Sequence, residues 1–359
     1  MKQFRDYLVE AAEGPRIPHP EDSIFDGSAS AANYVQALQG IAANPTNVTI
    51  KWDGMIALYF GRDAQGNFFV ADKYMPAKGV FPTNPKQWQD YDASRGAVRA
   101  DLYQKINLIW PGLEKAVGQT IGTFKGDLMF VGPLQPINDQ YIFKPVTVEY
   151  RVPVNSDLGR LIRGRRALIV VHTFQNAPFN GRGLTSNEEV AIIPPNAGIK
   201  FSVKNPVNLS NAASAAIAKY GASIDKFLAG LPNVAKEAIK KYVMHVKIGK
   251  TTMPINEWLR ANVSNKQYNF LVGDDQNGYL NQYKNDLAAL FKTWNAISAF
   301  KENLAQQLET QVKGFQQLVN GQPQGEGFVI PTRFGLVKLV QRAGFTAAHF
   351  AGFNAQKTQ

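Results

Sequence analysis

Asn47-Val48-Thr49-Ile50-Lys51-Trp52-Asp53-Gly54-Met55-Ile56-Ala57-Leu58-Tyr59-Phe60 reads as a short β-rich run, a polar break and a second apolar strand. Val, Thr and Ile favour extended backbone, and Asp-Gly is a common turn. The break sets a lysine amine between two strands, where it can serve as a nucleophile. A tetrapeptide of this kind also arises by chance, so the order of the later segments along the chain decides the reading. Phe124-Lys125-Gly126-Asp127-Leu128-Met129-Phe130 reads as a strand with an acid near its start. Ala167-Leu168-Ile169-Val170-Val171-His172-Thr173-Phe174 is a buried-type strand that ends in polar and aromatic residues. Glu326-Gly327-Phe328-Val329-Ile330 is a strand opened by a carboxylate, and Phe334-Gly335-Leu336-Val337-Lys338-Leu339-Val340 carries one lysine in an apolar run. An unpaired lysine inside a buried strand is costly, which sets Lys338 at a cleft or beside an anion.

This order resembles the superfamily of ATP-dependent DNA ligases, RNA ligases and mRNA-capping enzymes. Its members carry Lys-x-Asp-Gly, an acidic Gly-Glu/Asp strand, an aromatic strand, Glu-Gly-hydrophobic-Val and a lysine-bearing last strand. Here these correspond to Lys51 to Gly54, Gly126-Asp127, Ile169 to Phe174, Glu326 to Val329, and Lys338. The resemblance covers residues 45–205 and 323–342. It implies an α+β fold: an ATP-grasp-like nucleotidyltransferase domain of antiparallel sheets with flanking helices. It implies that Lys51 attacks the α-phosphate of ATP and becomes a lysyl-AMP, with Asp53 and Gly54 beside it. Asp127 would bind the ribose hydroxyl. His172 or Phe174 would stack on the base, with His172 preferred by position along the strand. Glu326 would hold Mg²⁺, and Lys338 would serve both the nucleotide and the reaction. The chemistry suits these residue types, because transfer of AMP spreads negative charge over the α-phosphate and the departing pyrophosphate. Catalysis is then mostly alignment and charge stabilisation. The amine must attack in its neutral form, which nearby cations, Mg²⁺ and Lys338 among them, would favour.

The chain departs from the family pattern in three places. Ile56 stands where the superfamily usually has an arginine, and Arg62 is the nearest replacement. The last motif usually has two lysines flanking one residue, but Leu336 and Val340 occupy the places beside Lys338, which leaves Arg333 or Arg342 to stand in. The stretch from Val340 to Gln359 is short for the oligonucleotide-binding barrel of DNA ligases and capping enzymes, so no C-terminal OB-fold is expected. Phage-type RNA ligases lack that barrel, which favours RNA as substrate with nicked DNA as runner-up. Two other readings stay open: nucleotidyl transfer to a protein or small molecule, and a packaged head protein that keeps the fold without catalysis.

Between the third and fourth motifs the texture changes. Helical periodicity runs through Ala212 to Leu228, Val234 to Val246 and Tyr279 to Val319. The expected organisation is a helical insertion over 206–322 within an adenylyltransferase domain made of 11–205 and 323–359. An Arg95 to Val117 stretch is expected as a helix beside the sheet. The insertion carries thirteen Lys/Arg against eight Asp/Glu, a large share of the chain's net charge of +11. Such a surplus suits a polyanionic partner. Arg160, Arg163, Arg165 and Arg166, with Arg151 and Arg182 nearby, are the densest basic stretch and the candidate nucleic-acid contacts.

Residues 1–10, MKQFRDYLVE, look like the capsid-targeting leader of internal head proteins of T-even-type tailed phages. Such leaders end in Leu-x-Glu before Ala, so a prohead protease would cut between Glu10 and Ala11. This implies a protein packaged in the phage head and delivered to the host cytoplasm. The segment is too short and charged for a membrane span or secretory signal. No membrane partner and a monomer are expected. With no cysteine there is no disulfide or thiolate metal site, and four scattered histidines make zinc a poor candidate. His19 lies in Pro18-His19-Pro20-Glu21-Asp22, whose carboxylates either serve the nucleotide or cap a helix.

Overall fold

The computed structural model describes residues 18–45, 48–175, 183–194, 207, 209–312, 314–332 and 335–342. A 3-10 turn, Pro20–Asp26, is followed by α1 (Ser28–Ala43), β1 (Thr49–Ile50), β2 (Ile56–Arg62), β3 (Phe68–Asp72), α2 (Pro85–Ser94) and α3 (Ala100–Val117). Next come β4 (Gly122–Val131), β5 (Gln140–Phe143), β6 (Glu149–Pro153), α4 (Asp157–Ile162), β7 (Ala167–Gln175) and β8 (Val190–Ile193). Six helices follow: α5 (Ala212–Ala229), α6 (Asn233–Lys247), α7 (Ile255–Asn262), α8 (Asn265–Leu271), α9 (Tyr279–Gln282) and α10 (Lys284–Glu309). The last described elements are β9 (Gln316–Val319), β10 (Gln322–Pro323), β11 (Gly327–Thr332) and β12 (Gly335–Val340). The fold is mixed α+β, and the chain forms two compact units.

The first unit takes in Ile50–Lys200 and Val312–Gly325. Its larger sheet has the order β3-β2-β4-β7-β8, antiparallel except for the parallel β7–β8 pair. One face is covered by α3, whose Ile106, Ile109, Trp110, Leu113 and Val117 pack with Leu58, Phe60, Phe124, Leu128, Ile169 and Val171. The three- and four-residue steps of those α3 positions make the apolar stripe that holds the helix on the sheet. Helix α3 begins later than the sequence suggests, because Arg95 and Arg99 are drawn to buried acids. The Arg99 guanidinium reaches Asp72 at 2.9 Å and Asp92 at 2.7 Å. Burial works against ionised Asp92, but hydrogen bonds from Arg95 and Arg99 hold its carboxyl below the usual range.

A smaller antiparallel sheet has the order β10-β9-β6-β5. It corrects the expectation of one helical run through Val319: the helix ends at Glu309, and Gln316–Val319 is a strand. The cause is Asn320-Gly321, whose φ values of 51° and 78° form a tight two-residue hairpin between β9 and β10.

The second unit takes in Ile17–Thr49, Phe201–Gln311 and Glu326–Gln359. Helices α5 and α6 realise the expected periodic segments, and α10 buries Leu287, Leu290, Trp294, Ile297, Leu304 and Leu308. The helices share this unit with the β11–β12 hairpin, in which Val329 faces Lys338 across the pair. The Thr49 hydroxyl donates to the Val329 carbonyl at 2.9 Å.

Candidate functional site

Lys51 to Gly54 lies between β1 and β2, and three of its four residues have a visible packing role. Trp52 is buried and stacks on Tyr150 (ring centroids 5.1 Å apart) and on Phe315 (5.4 Å). Tyr150 stacks in turn on Phe143, and Phe143 contacts Phe130, so a ladder of rings from several strands supports the loop. Asp53 is buried. Its backbone N–H donates to the Tyr150 hydroxyl at 2.8 Å, and its carboxylate accepts from the Thr147 backbone N–H at 3.1 Å. Asp53 thereby ties the loop to Tyr150 and to the backbone at Thr147. Gly54 packs so closely on β4 that a Cβ there would lie 2.4 Å from the Cβ of Asp127. The next residue, Met55, donates its N–H to the Leu128 carbonyl at 2.8 Å. Lys51 itself is half-buried.

On β4 the residues alternate between faces. Phe124 and Leu128 join the core under α3, while Lys125 and Asp127 point to the other side. The imidazole of His172 is 2.9 Å from Asp127, Nε2 to Oδ2, and both side chains are partly exposed. A β-bulge makes this contact. Lys125 pairs with Thr173 and Gly126 with Val171, which leaves His172 as the extra residue of β7. A bulge re-aims a side chain in this way beside many functional sites. Gly126 has its own constraint, since a Cβ there would meet the Val170 carbonyl oxygen at 2.7 Å. The first unit therefore brings together Gly54, Asp127 and His172. Phe174 pairs with Phe124 through the backbone, and its side chain lies outside the described residues. Sequence reasoning passes over Lys125, whose Nζ sits 5.3 Å from the centre of the Tyr59 ring on the Asp127 face. Its position two residues before Asp127 is the available signal.

Glu326 and Lys338 belong to the second unit. Glu326 is buried immediately before β11. The glycine after it is required: Gly327 has φ 123°, and a Cβ would sit 2.0 Å from the Leu339 carbonyl oxygen. Lys338 is half-buried on β12, and its backbone N–H donates to the Pro18 carbonyl at 3.1 Å. The nearby carboxylates of Glu21 and Asp22 are committed to the interior. Glu21 pairs with Lys301 at 2.5 Å and with Arg342 at 3.1 Å, and Asp22 pairs with Arg342 at 2.6 Å. The Trp294 indole N–H also donates to Asp22, at 3.2 Å. Burial of His19, reinforced by the positive charges of Arg342 and Lys301, lowers its pKa to about 2.

Two proposed stand-ins are corrected by this geometry. Arg62 lies at the far end of β2, where it donates to the Gly66 carbonyl at 2.8 Å and pairs with Glu114 at 3.0 Å. Six residues of strand, about 20 Å, separate it from Ile56. Arg342 is held by Glu21 and Asp22 and is nearly inaccessible, so it is a core ion pair; Arg333 lies outside the described residues. The basic stretch is α4 and the turn into β7. Arg160 pairs with Asp157, Arg163 donates to the Val154 carbonyl at 3.2 Å, and Arg165 donates to the Asn187 carbonyl at 2.6 Å. The side chains of Arg163 and Arg166 are exposed. Arg151 pairs with Glu149 at 2.7 Å, while Arg182 and residues 1–10 lie outside the described residues.

A model for a family of unknown function, DUF6267, matches residues 16–357. The chain belongs to that family. No curated protein and no solved structure matches this DUF6267 member. No described helix is long and apolar enough to cross a membrane.

Proposed function

We propose that this protein is an ATP-dependent polynucleotide ligase built on a nucleotidyltransferase fold, with Lys51 as the nucleophile. The observation that carries the reading is the convergence of three motifs that are far apart in sequence: Gly54 packs on Asp127, and Asp127 meets His172. A carboxylate and an imidazole in contact on one side of the sheet suit a ribose hydroxyl and a base, and Lys51 lies three residues before the glycine that packs on that carboxylate. In the first step the lone pair of the Lys51 Nζ forms a bond to the α-phosphorus, the bond to pyrophosphate breaks and the amine proton leaves to solvent. AMP then passes to a 5′-phosphate, and a 3′-hydroxyl displaces it to seal the strand. Trp52 and Asp53 hold the loop during attack, Asp127 orients the sugar, and His172 stacks on the base. The exposed Arg163 and Arg166 of the first unit supply positive charge for phosphates, and Lys338 of the second unit is a further candidate cation.

Among the described residues no group of three His, Asp or Glu is placed to hold a metal ion. Mg²⁺ in phosphoryl transfer usually needs only one or two carboxylates, and substrate phosphates complete its shell. Glu326 of the second unit, buried just before β11, is the carboxylate proposed for that role, and a Mg²⁺ ion there would supply charge neutralisation for phosphate oxygens. RNA is the preferred substrate, and packaging in a phage head belongs to the same reading. Incubation with α-³²P-ATP and Mg²⁺ followed by a denaturing gel tests it. A labelled band that is absent in Lys51→Ala, and sealing of nicked RNA or DNA by the labelled protein, is the expected result. A wild-type chain left unlabelled by both ATP and GTP would overturn it.

A further inference from the structure

The positive charge of the helical segment is concentrated in one hairpin. Residues 212–250, α5 and α6, hold seven lysines against two acids, while residues 251–311 hold five Lys/Arg against six Asp/Glu. The single acid of α5 is not available to offset its lysines. The Asp225 carboxylate accepts from the Ser28 backbone N–H at 2.7 Å and from the Ser28 hydroxyl at 2.6 Å, and so caps α1.

Within this surplus one arrangement stands out. The ammonium groups of Lys219, on α5, and Lys292, on α10, both approach the ring of Tyr220, at 5.3 and 5.8 Å from its centre. Both lysines are exposed, and among the described residues no carboxylate lies within ion-pair distance of either. The ring and the hydroxyl of Tyr220 attract both ammonium groups, and the two like charges they bring together favour a bound anion. Burial alone would raise the pKa of the Tyr220 hydroxyl, yet the charges of Lys219 and Lys292 and their hydrogen bonds to it hold it below its usual value. Lys226 follows Lys219 by seven residues, two turns, so it lies on the same face of α5 about 10 Å further along. The spacing suits successive contacts to a polyphosphate backbone, and the ring offers a face for an unpaired base.

We infer that Lys219, Tyr220 and Lys292, continued by Lys226, form a nucleic-acid docking surface that grips the phosphate backbone of a single strand without reading its sequence. The choice of a polynucleotide rests on the ligase reading above, whereas the anion-binding geometry does not. Phosphate contacts of this kind supply affinity through counterion release, so their number is read from the salt dependence of binding.

The test is fluorescence anisotropy of a labelled 20-nucleotide single-stranded RNA titrated with the full chain at several salt concentrations. Lys219→Gln/Lys292→Gln should lower the slope of log affinity against log salt by about 1.4, since each single-strand phosphate contact contributes about 0.7. Lys219→Arg/Lys292→Arg should keep the wild-type slope, and matching thermal unfolding curves show that each variant is folded. An unchanged slope in the glutamine variant overturns the proposal. So does a wild-type chain that ignores RNA and instead binds vesicles of phosphatidylserine through these lysines. Labelling of wild-type Lys51 by α-³²P-ATP is scored separately. Loss of labelling with an intact RNA slope refutes the ligase reading alone, and the reverse result refutes this surface alone.

Discussion

Replacing Gly54 by alanine tests the candidate site with the smallest possible change. The added methyl would sit 2.4 Å from the Asp127 Cβ and 3.1 Å from the Leu128 carbonyl oxygen. An ordinary contact between carbons is about 3.5 to 4.0 Å, so the loop and β4 must separate by more than about 1 Å. Overpacking of this kind costs about 1 to 3 kcal/mol of stability. The larger effect is chemical, because a displacement of about 1 Å at a reacting group costs about 10²-fold in rate. Gly54→Ala should therefore form lysyl-AMP about a hundred times more slowly in a single-turnover assay with α-³²P-ATP, while remaining folded at low temperature. Asp127→Gly removes the clashing carbon together with the carboxylate. The double variant Gly54→Ala/Asp127→Gly should recover stability without recovering the rate. Gly40 of α1 has open space around it, so Gly40→Ala serves as the control and should stabilise by about 1 kcal/mol through helix propensity. If Gly54→Ala labels at the wild-type rate, the loop does not depend on its seat against Asp127 and the site is wrongly drawn.

His172→Ala should raise the ATP concentration needed for half-maximal labelling by about 5- to 150-fold, as loss of a stacking partner costs about 1 to 3 kcal/mol; an unchanged half-saturation would remove the imidazole from the site. The His19 pKa, lowered to about 2 by burial, Arg342, Lys301 and Lys338 against the opposing pull of Asp22, predicts acid sensitivity of the second unit. Below about pH 6.5 the unfolded chain takes up a proton that the folded chain refuses, so stability falls by at most about 1.4 kcal/mol per pH unit. His19→Asn should flatten that slope in urea unfolding between pH 7.5 and 5.5, and a slope that persists assigns it to other groups. Lys301→Met strands Glu21 in the interior beside Arg342 and should cost about 3 to 5 kcal/mol. Glu21→Leu/Lys301→Met should recover part of that loss, and a double variant no more stable than the worse single would show that the pair is not coupled.

Much of this architecture is legible in the sequence, for reasons that differ by element. Strands β2, β4, β7, β11 and β12 announce themselves as apolar runs bounded by Gly, Asp and Pro, and α5 and α6 by three- and four-residue apolar steps. The end of α10 is easily misread because Phe315, Leu318 and Val319 continue its apolar spacing. Asn320-Gly321 is the stronger signal there, since few pairs tolerate two successive positive φ values. The Asp127–His172 contact is within reach only as a preference for His172, because a bulge has no reliable signature in a single sequence. The ladder Phe315, Trp52, Tyr150, Phe143 and Phe130 is out of reach altogether, being assembled from three strands and two loop positions far apart in sequence. Arg62 and Arg342 mislead in the opposite direction. A free-looking guanidinium in sequence is often already claimed by carboxylates and carbonyls in the fold.

The tetrapeptide has a consequence for tracing how this family diverges. Trp52, Asp53 and Gly54 are each fixed by contacts that would matter as much in an inert chain as in a working one. Selection for a sound fold would thus carry those three letters down a lineage whether or not any nucleotide is ever transferred. Under the proposed ligase reading only Lys51 would form a bond to phosphorus, so a relative that keeps Trp52, Asp53 and Gly54 but replaces Lys51 would be expected to keep the fold of the loop and to lack nucleotidyl transfer.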